Sequence, residues 1–162
     1  MLFRSGVPCE VTDDLRRAHW EKLVWNIPFN GLGVASAAGY AAVISGEVTP
    51  NTPLVPCLTT DKLLDQGKWE SLVRELMHEV IAAANAQNLK VELELADVQI
   101  ERTRMMGAYR ASTLIDFKRG QPLELEALFL RPLRQAQNAG VPMPRLAALC
   151  SVLSQLEARR RG

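Results

Sequence analysis

Trp20-Glu21-Lys22-Leu23-Val24-Trp25-Asn26-Ile27-Pro28-Phe29-Asn30 places one cation and two carboxamides at four-residue spacing in an otherwise apolar segment. On a helix of 3.6 residues per turn, Lys22, Asn26 and Asn30 fall along one stripe, each roughly 40° from the last. The large apolar neighbours favour burial, so three polar side chains point into one partly enclosed space, where each needs a partner. The pattern reads as half of an active site. A solvated lysine and turn- or cap-forming asparagines are the plain alternative for the same residues. Pro28 has no amide hydrogen and crowds the preceding turn, which predicts an end or a kink there, with the two asparagines on two abutting helices.

Working outward, residues 1–11, with Gly6 and Pro8, read as a connector, and residues 12–162 as a single domain. Thr12 or Asp13 is the expected cap of the first helix, and Asp13 and Asp14 suit its positive end. Residues 31–44 are rich in glycine, alanine and serine with apolar residues between, which predicts a buried helix packed closely on a neighbour. Residues 45–56 hold Gly46, Pro50, Pro53 and Pro56 and read as a loop. From Trp69, the positions Leu72, Val73, Leu76, Val80, Ile81 and Ala84 mark a long amphipathic helix closing on a left-handed Asn88. Residues 90–95 alternate and predict a short extended passage. A helix carrying Ser112 and Asp116 should stop at Gly120, and Pro122 should open another with Glu124 in its first turn and a bend at Pro132. After a stop around residues 138–144, Leu146, Leu149, Val152, Leu153 and Leu156 drive a terminal helix ending in Arg159-Arg160-Arg161, read as a solvated end. The expected fold is an all-α bundle of six or so helices.

Composition narrows the function. A chain of 162 residues buries roughly 70% of its unfolded surface in one core. A net charge of +1 provides no field for nucleic acid or acidic lipid, so neither nucleic acid nor membrane is an expected partner. Cys9, Cys57 and Cys150 are widely separated, which reads as reduced thiols in a cytoplasmic protein. His19 and His78 stand without neighbouring ligands, so no metal is expected. Neither a secretory signal nor an apolar run of membrane-spanning length is recognised. No Gly-x-Gly-x-x-Gly or Gly-x-x-x-x-Gly-Lys-Ser/Thr occurs, so the chain has no dinucleotide or phosphate loop of its own.

At Trp20-x-Lys22-Leu23-x-x-Asn26-x-x-x-Asn30 the chain resembles the C-terminal domain of ketopantoate reductase, the 2-dehydropantoate 2-reductase family. Ser112-x-x-x-Asp116, Gly120 and Pro122-Leu123-Glu124 resemble that family's Ser, Asp and Glu segment, and Ala139-Gly140-Val141-Pro142-x-Pro144 is similar to its Gly-Val-x-x-Pro turn. The resemblance runs from about residue 6 to the terminal helix. It implies an all-helical domain like the C-terminal domain of 6-phosphogluconate dehydrogenase, partnered in the complete enzyme by an N-terminal Rossmann domain that binds NADPH. It implies Lys22 as general acid, Asn26, Asn30 and Ser112 as substrate-binding residues, and Glu124 beside the substrate and nicotinamide. These roles agree with the residues' chemistry: an ammonium can stabilise and protonate the oxygen of a ketone being reduced, and neutral amides and a hydroxyl can orient a hydroxy acid. The implied substrate is a 2-oxoacid, 2-dehydropantoate reduced to pantoate for coenzyme A synthesis. The isolated chain is expected to bind no NADPH and to need a Rossmann-domain partner chain; a homodimer is a further expected assembly. A non-catalytic helical module for dimerisation or partner binding is the competing expectation.

Overall fold

The computed structural model of the protein describes residues 7–51 and 53–161, with side chains from residue 14 to residue 160. In chain order it comprises α1 (Val7–Ala35), a 3-10 turn (Ser36–Ala38), α2 (Tyr40–Ser45), α3 (Thr60–Leu63), α4 (Lys68–Ala86), α5 (Leu95–Arg104) and α6 (Ser112–Lys118). A π-helical turn (Glu126–Leu130) then runs into α7 (Arg131–Asn138), and α8 (Pro144–Arg161) closes the chain. No strand occurs among the described residues, and the all-α expectation holds.

The axis of the bundle is α1, against which α4, α6 and α8 pack. Its exposure changes along its length: residues 14, 15 and 16 are exposed, Trp20 is buried, and every residue from Ile27 to Ala37 is buried. A helix apolar on all sides belongs inside a core. That explains a correction to the sequence expectation: the chain neither ends nor divides at Pro28, and one helix of 29 residues carries both asparagines. Pro28 has no N–H to offer the Val24 carbonyl, and an interior proline costs a helix about 3 kcal/mol. Ile27, Phe29 and Leu32 are each at most 1% exposed, and burying a side chain of that size contributes about 1.5–3 kcal/mol. Burial therefore outweighs the local defect. The same helix starts at Val7, inside the stretch expected as a connector and ahead of the expected caps at Thr12 and Asp13; residues 1–6 of that stretch lie outside the described residues.

Close packing after Asn30 is as anticipated, in a different element. Residues 31–35 finish α1, and the 3-10 turn and α2 follow. A Cβ on Gly31 would lie 2.6 Å from Leu149 Cδ2 and 3.0 Å from Phe129 Cε1, so glycine is what lets α8 and the π turn approach α1. The α4 helix closes as expected, with Asn88 at φ +64° and the Leu89 amide donating to the Ala84 carbonyl at 3.2 Å.

Residues 90–94 are not an extended passage. Lys90 has φ +56°, Asn85 holds Val91 through both its amide groups at 2.7 and 3.0 Å, and α5 starts at Leu95. Local hydrogen bonding there outcompetes the alternation of side chains. The helix after Gly120 also starts later than expected. Glu124 precedes it, its carbonyl accepting the Leu128 amide at 3.2 Å, and Pro122 lies outside it. At the expected bend, the wider π turn delivers the chain to Pro132 in the first turn of α7, where a missing N–H costs little.

The loop after α2 is tied to α8. Gln155 accepts the Val48 amide at 2.8 Å and donates to the Gly46 carbonyl at 2.8 Å, which Ser151 also reaches at 2.7 Å. Arg160, read from the sequence as part of a solvated end, instead bonds Glu157 and the Gly120 carbonyl. No described helix is long and apolar enough to cross a membrane.

Candidate functional site

Because α1 is continuous, Lys22, Asn26 and Asn30 share one stripe spanning roughly 12 Å of its axis. The stripe descends from solvent into the core: Lys22 is exposed, Asn26 half-buried and Asn30 only 4% exposed. Lys22 and Asn26 make no side-chain hydrogen bond or ion pair among the described residues.

Asn30 is oriented by α6. Its Oδ1 accepts the Thr113 backbone N–H at 3.0 Å and the Ser112 hydroxyl at 3.4 Å, which satisfies a donor at the start of that helix from across the bundle. A backbone N–H can only donate, so the oxygen of the amide must face α6 and its nitrogen must face away. That nitrogen has no hydrogen-bond partner among the described residues and points away from α6. Ser112 is exposed, and among the described residues its hydroxyl is held only by its long bond to Asn30, which leaves it able to turn to a ligand.

Trp25 forms the neighbouring wall. Its ring lies 5.0 Å from Phe29 and meets Tyr109 edge-on at 6.1 Å. Its indole N–H donates to Thr103 Oγ1 at 2.8 Å, and Thr103 donates in turn to the Gln99 carbonyl at 2.6 Å. The loop that carries Tyr109 and leads to Ser112 is strapped to α3: the Thr60 amide donates to the Tyr109 carbonyl at 3.0 Å, and Thr60 Oγ1 donates to the Gly107 carbonyl at 2.9 Å. None of these supports stood out in the sequence. Buried threonines are chemically ordinary, and only the fold brings them under the site.

Glu124 is exposed and has no side-chain partner among the described residues. Phe129, just over one turn further on, packs against Gly31 and so ties that segment to α1 beside Asn30. The structure thus brings Asn30 and Ser112 into contact and aligns Lys22 and Asn26 with them. No hydrogen bond joins Glu124 to any of the four.

An open groove of about 780 Å³ elsewhere includes His78, Glu79, Val141, Pro142 and Arg145, and none of the candidate residues. Glu79 from α4 accepts the Arg145 and Leu146 amides at 2.8 and 3.0 Å, capping α8, and burial pushes its carboxyl above the ordinary range. Arg145 is paired with Glu75 at 2.6 Å. The charged groups of this groove are therefore engaged in holding α8.

The family model described as ketopantoate reductase PanE/ApbA C terminal matches residues 42–157, which include Ser112 and Glu124. A 2-dehydropantoate 2-reductase of Nostoc sp. is 33% identical over 157 residues, 97% of this chain and 43% of the relative. Its match therefore extends to most of the chain ahead of residue 42. Among solved structures, the 2-dehydropantoate 2-reductase of Geobacter metallireducens is 39% identical with a TM-score of 0.70, over 88% of this chain and 41% of that one. The enzyme of Methylococcus capsulatus is 28% identical with a TM-score of 0.75, over 91% and 44%. The chain spans less than half the length of the curated relatives it matches. With the matched family model covering well over half of it, the chain belongs to the ketopantoate reductase C-terminal domain family.

Proposed function

We propose that the chain is the substrate-binding and catalytic helical half of a 2-oxoacid reductase that converts 2-dehydropantoate to pantoate in the cytoplasm, working with a dinucleotide-binding unit carried outside these 162 residues. The observation that carries this reading is the α1 stripe. It sets an ammonium with no counter-ion among the described residues in line with Asn26 and with an Asn30 whose oxygen is held by α6 and whose N–H groups face away from that helix. The activity of the Nostoc, Geobacter and Methylococcus relatives supports the choice of substrate.

Reduction of the ketone needs a hydride donor, which in this reading is NADPH held by the dinucleotide-binding unit. Within the chain, Lys22 meets the negative charge that reduction leaves on the ketone oxygen and supplies its proton, an effect typically worth about 10²–10⁴ in rate. The N–H groups of Asn30, with Asn26 and Ser112, fix the orientation of the oxoacid without adding charge. Glu124 accepts from a substrate hydroxyl or pairs with Lys22 when the site fills.

Titration calorimetry of the chain with pantoate, together with an NADPH-dependent 2-dehydropantoate assay run with and without an added nucleotide-binding half, tests the reading. Saturable pantoate binding is expected, weakened in Lys22→Ala, with stability unchanged within about 0.5 kcal/mol because Lys22 is exposed and has no partner among the described residues. Reduction is expected only with the added half. A wild-type chain that binds no pantoate would leave the dimerisation or partner-binding module as the better reading. Undiminished reduction by reconstituted Lys22→Ala would remove Lys22 as proton donor.

A further inference from the structure

We infer that Glu157 and Arg160, on adjacent turns of α8, are positioning residues for Glu124, an inference that rests on placing Glu124 at the substrate site. Glu157 is only 4% exposed. Its Oε1 accepts the Leu123 amide at 3.3 Å, and its Oε2 accepts from Arg160 Nη2 at 2.9 Å. Arg160 Nη1 donates to the Gly120 carbonyl at 2.6 Å. One charge pair therefore grips both ends of the short passage from Gly120 to Leu123, immediately before Glu124.

The backbone between these anchors has little freedom. Gly120 turns the chain at φ +76°, the Gln121 amide donates to the Asp116 carbonyl at 2.8 Å, and the ring of Pro122 restricts its own φ. On the far side, the Glu124 carbonyl accepts the Leu128 amide at 3.2 Å. Glu124 thus has a backbone fixed from both directions and a carboxylate left without a partner among the described residues. A fixed backbone beneath an uncommitted side chain is the support that a substrate-facing group needs.

An anchor serving stability alone is the simpler reading, and its energetics are unfavourable. Glu157 forfeits most of its hydration, and an ion pair that buries a charge in this way is often no more stabilising than apolar residues of similar volume. Here Arg160 Nε is in addition buried without a hydrogen-bond partner among the described residues. What the pair does achieve is the placement of one short segment, and that segment delivers Glu124.

The test uses the full chain, with pantoate as probe. Glu157→Gln retains an acceptor for Leu123 and loses the charge facing Arg160, and Arg160→Ala releases Gly120 from a residue that is already a quarter exposed. Each is expected to weaken pantoate binding about tenfold and to speed exchange of the Leu123 amide by a similar factor, as loss of a charge-assisted hydrogen bond would. In a Glu124→Ala background the binding penalty should vanish, because a positioning residue has nothing left to position. Unchanged Leu123 exchange in both variants, or an equal binding penalty with and without Glu124, would reduce the pair to a structural anchor and overturn the inference. Failure of the wild-type chain to bind pantoate would overturn the site reading and this inference with it.

Discussion

At the scale of single residues, Asn30 does two jobs that ordinary mutagenesis would confuse. Its oxygen serves α6, and its nitrogen, turned away from that helix, is the group the proposed site would use. Asn30→Ala removes both and leaves the Thr113 amide buried without a partner. It should destabilise the fold by about 1–3 kcal/mol, the usual cost of an unsatisfied buried donor. Asn30→Asp separates the two jobs, because a carboxylate still accepts from Thr113 while presenting an acceptor where the N–H groups were. Its melting temperature should stay well above that of Asn30→Ala, and its affinity for an oxoacid anion should fall at least about tenfold through the repulsion of like charges. Thermal melts and pantoate titrations of the two variants decide this. Equal affinity in wild type and Asn30→Asp would show that the amide nitrogen does not meet the ligand.

At the scale of elements, packing of α8 and the π turn against α1 depends on which glycine is filled. A Cβ at Gly31 meets Leu149 at 2.6 Å, and Leu149 is fully buried, so its side chain has nowhere to go. A Cβ at Gly33 finds its nearest neighbour, Leu114 Cβ, at 3.7 Å, an ordinary contact. Replacing a mid-helix glycine with alanine gains about 1 kcal/mol of helix propensity, whereas overfilling a packed core costs about 1–3 kcal/mol. Urea denaturation should therefore find Gly33→Ala neutral or stabilised and Gly31→Ala destabilised. The reverse order would mean that α8 yields readily. The small-residue signal around these glycines was legible in the sequence, as were α4, its left-handed close at Asn88 and the restart at Pro144. The course of α1 through Pro28 was not, because the local proline rule is overruled by burial from every side. The π turn before Pro132 and the start of α5 at Leu95 were hidden for a similar reason: hydrogen-bond register and local side-chain bonds set them, and periodicity records neither.

At the scale of the whole molecule, the candidate residues were more legible than the groups that support them. Four-residue spacing suggested the stripe of Lys22, Asn26 and Asn30, but the proline rule divided the two asparagines, and only the unbroken α1 puts all three on one helix. Trp25 and Thr103 are 78 residues apart, and no linear pattern pairs them. The same holds for the ion pair that fastens α5, and with it Thr103, to α4. Glu70 accepts from Arg104 at 3.2 and 3.0 Å and from the Gln66 amide at 3.0 Å, and the Arg104 hydrogen bonds hold its carboxyl below the ordinary value of 4.5. A carboxylate whose pKa is lowered by folding contributes stability that is complete above the unfolded-state value and is lost as pH falls through the folded-state value. Glu70→Gln should accordingly be less stable than wild type at pH 7, by about 1–3 kcal/mol for hydrogen bonds to a charged acceptor. The gap should narrow as pH drops below 4.5, where the unfolded chain takes up this proton first, and level off once the native carboxylate is protonated in turn. Burial raises the Glu79 carboxyl, which gives that group the opposite pH dependence, but it is common to both proteins and cancels in the difference. Urea midpoints for the pair, measured stepwise from pH 7 towards pH 3, read this gap directly. A gap that stays constant across the range would mean that Glu70 holds α5 by shape and neutral hydrogen bonding, with its charge contributing nothing.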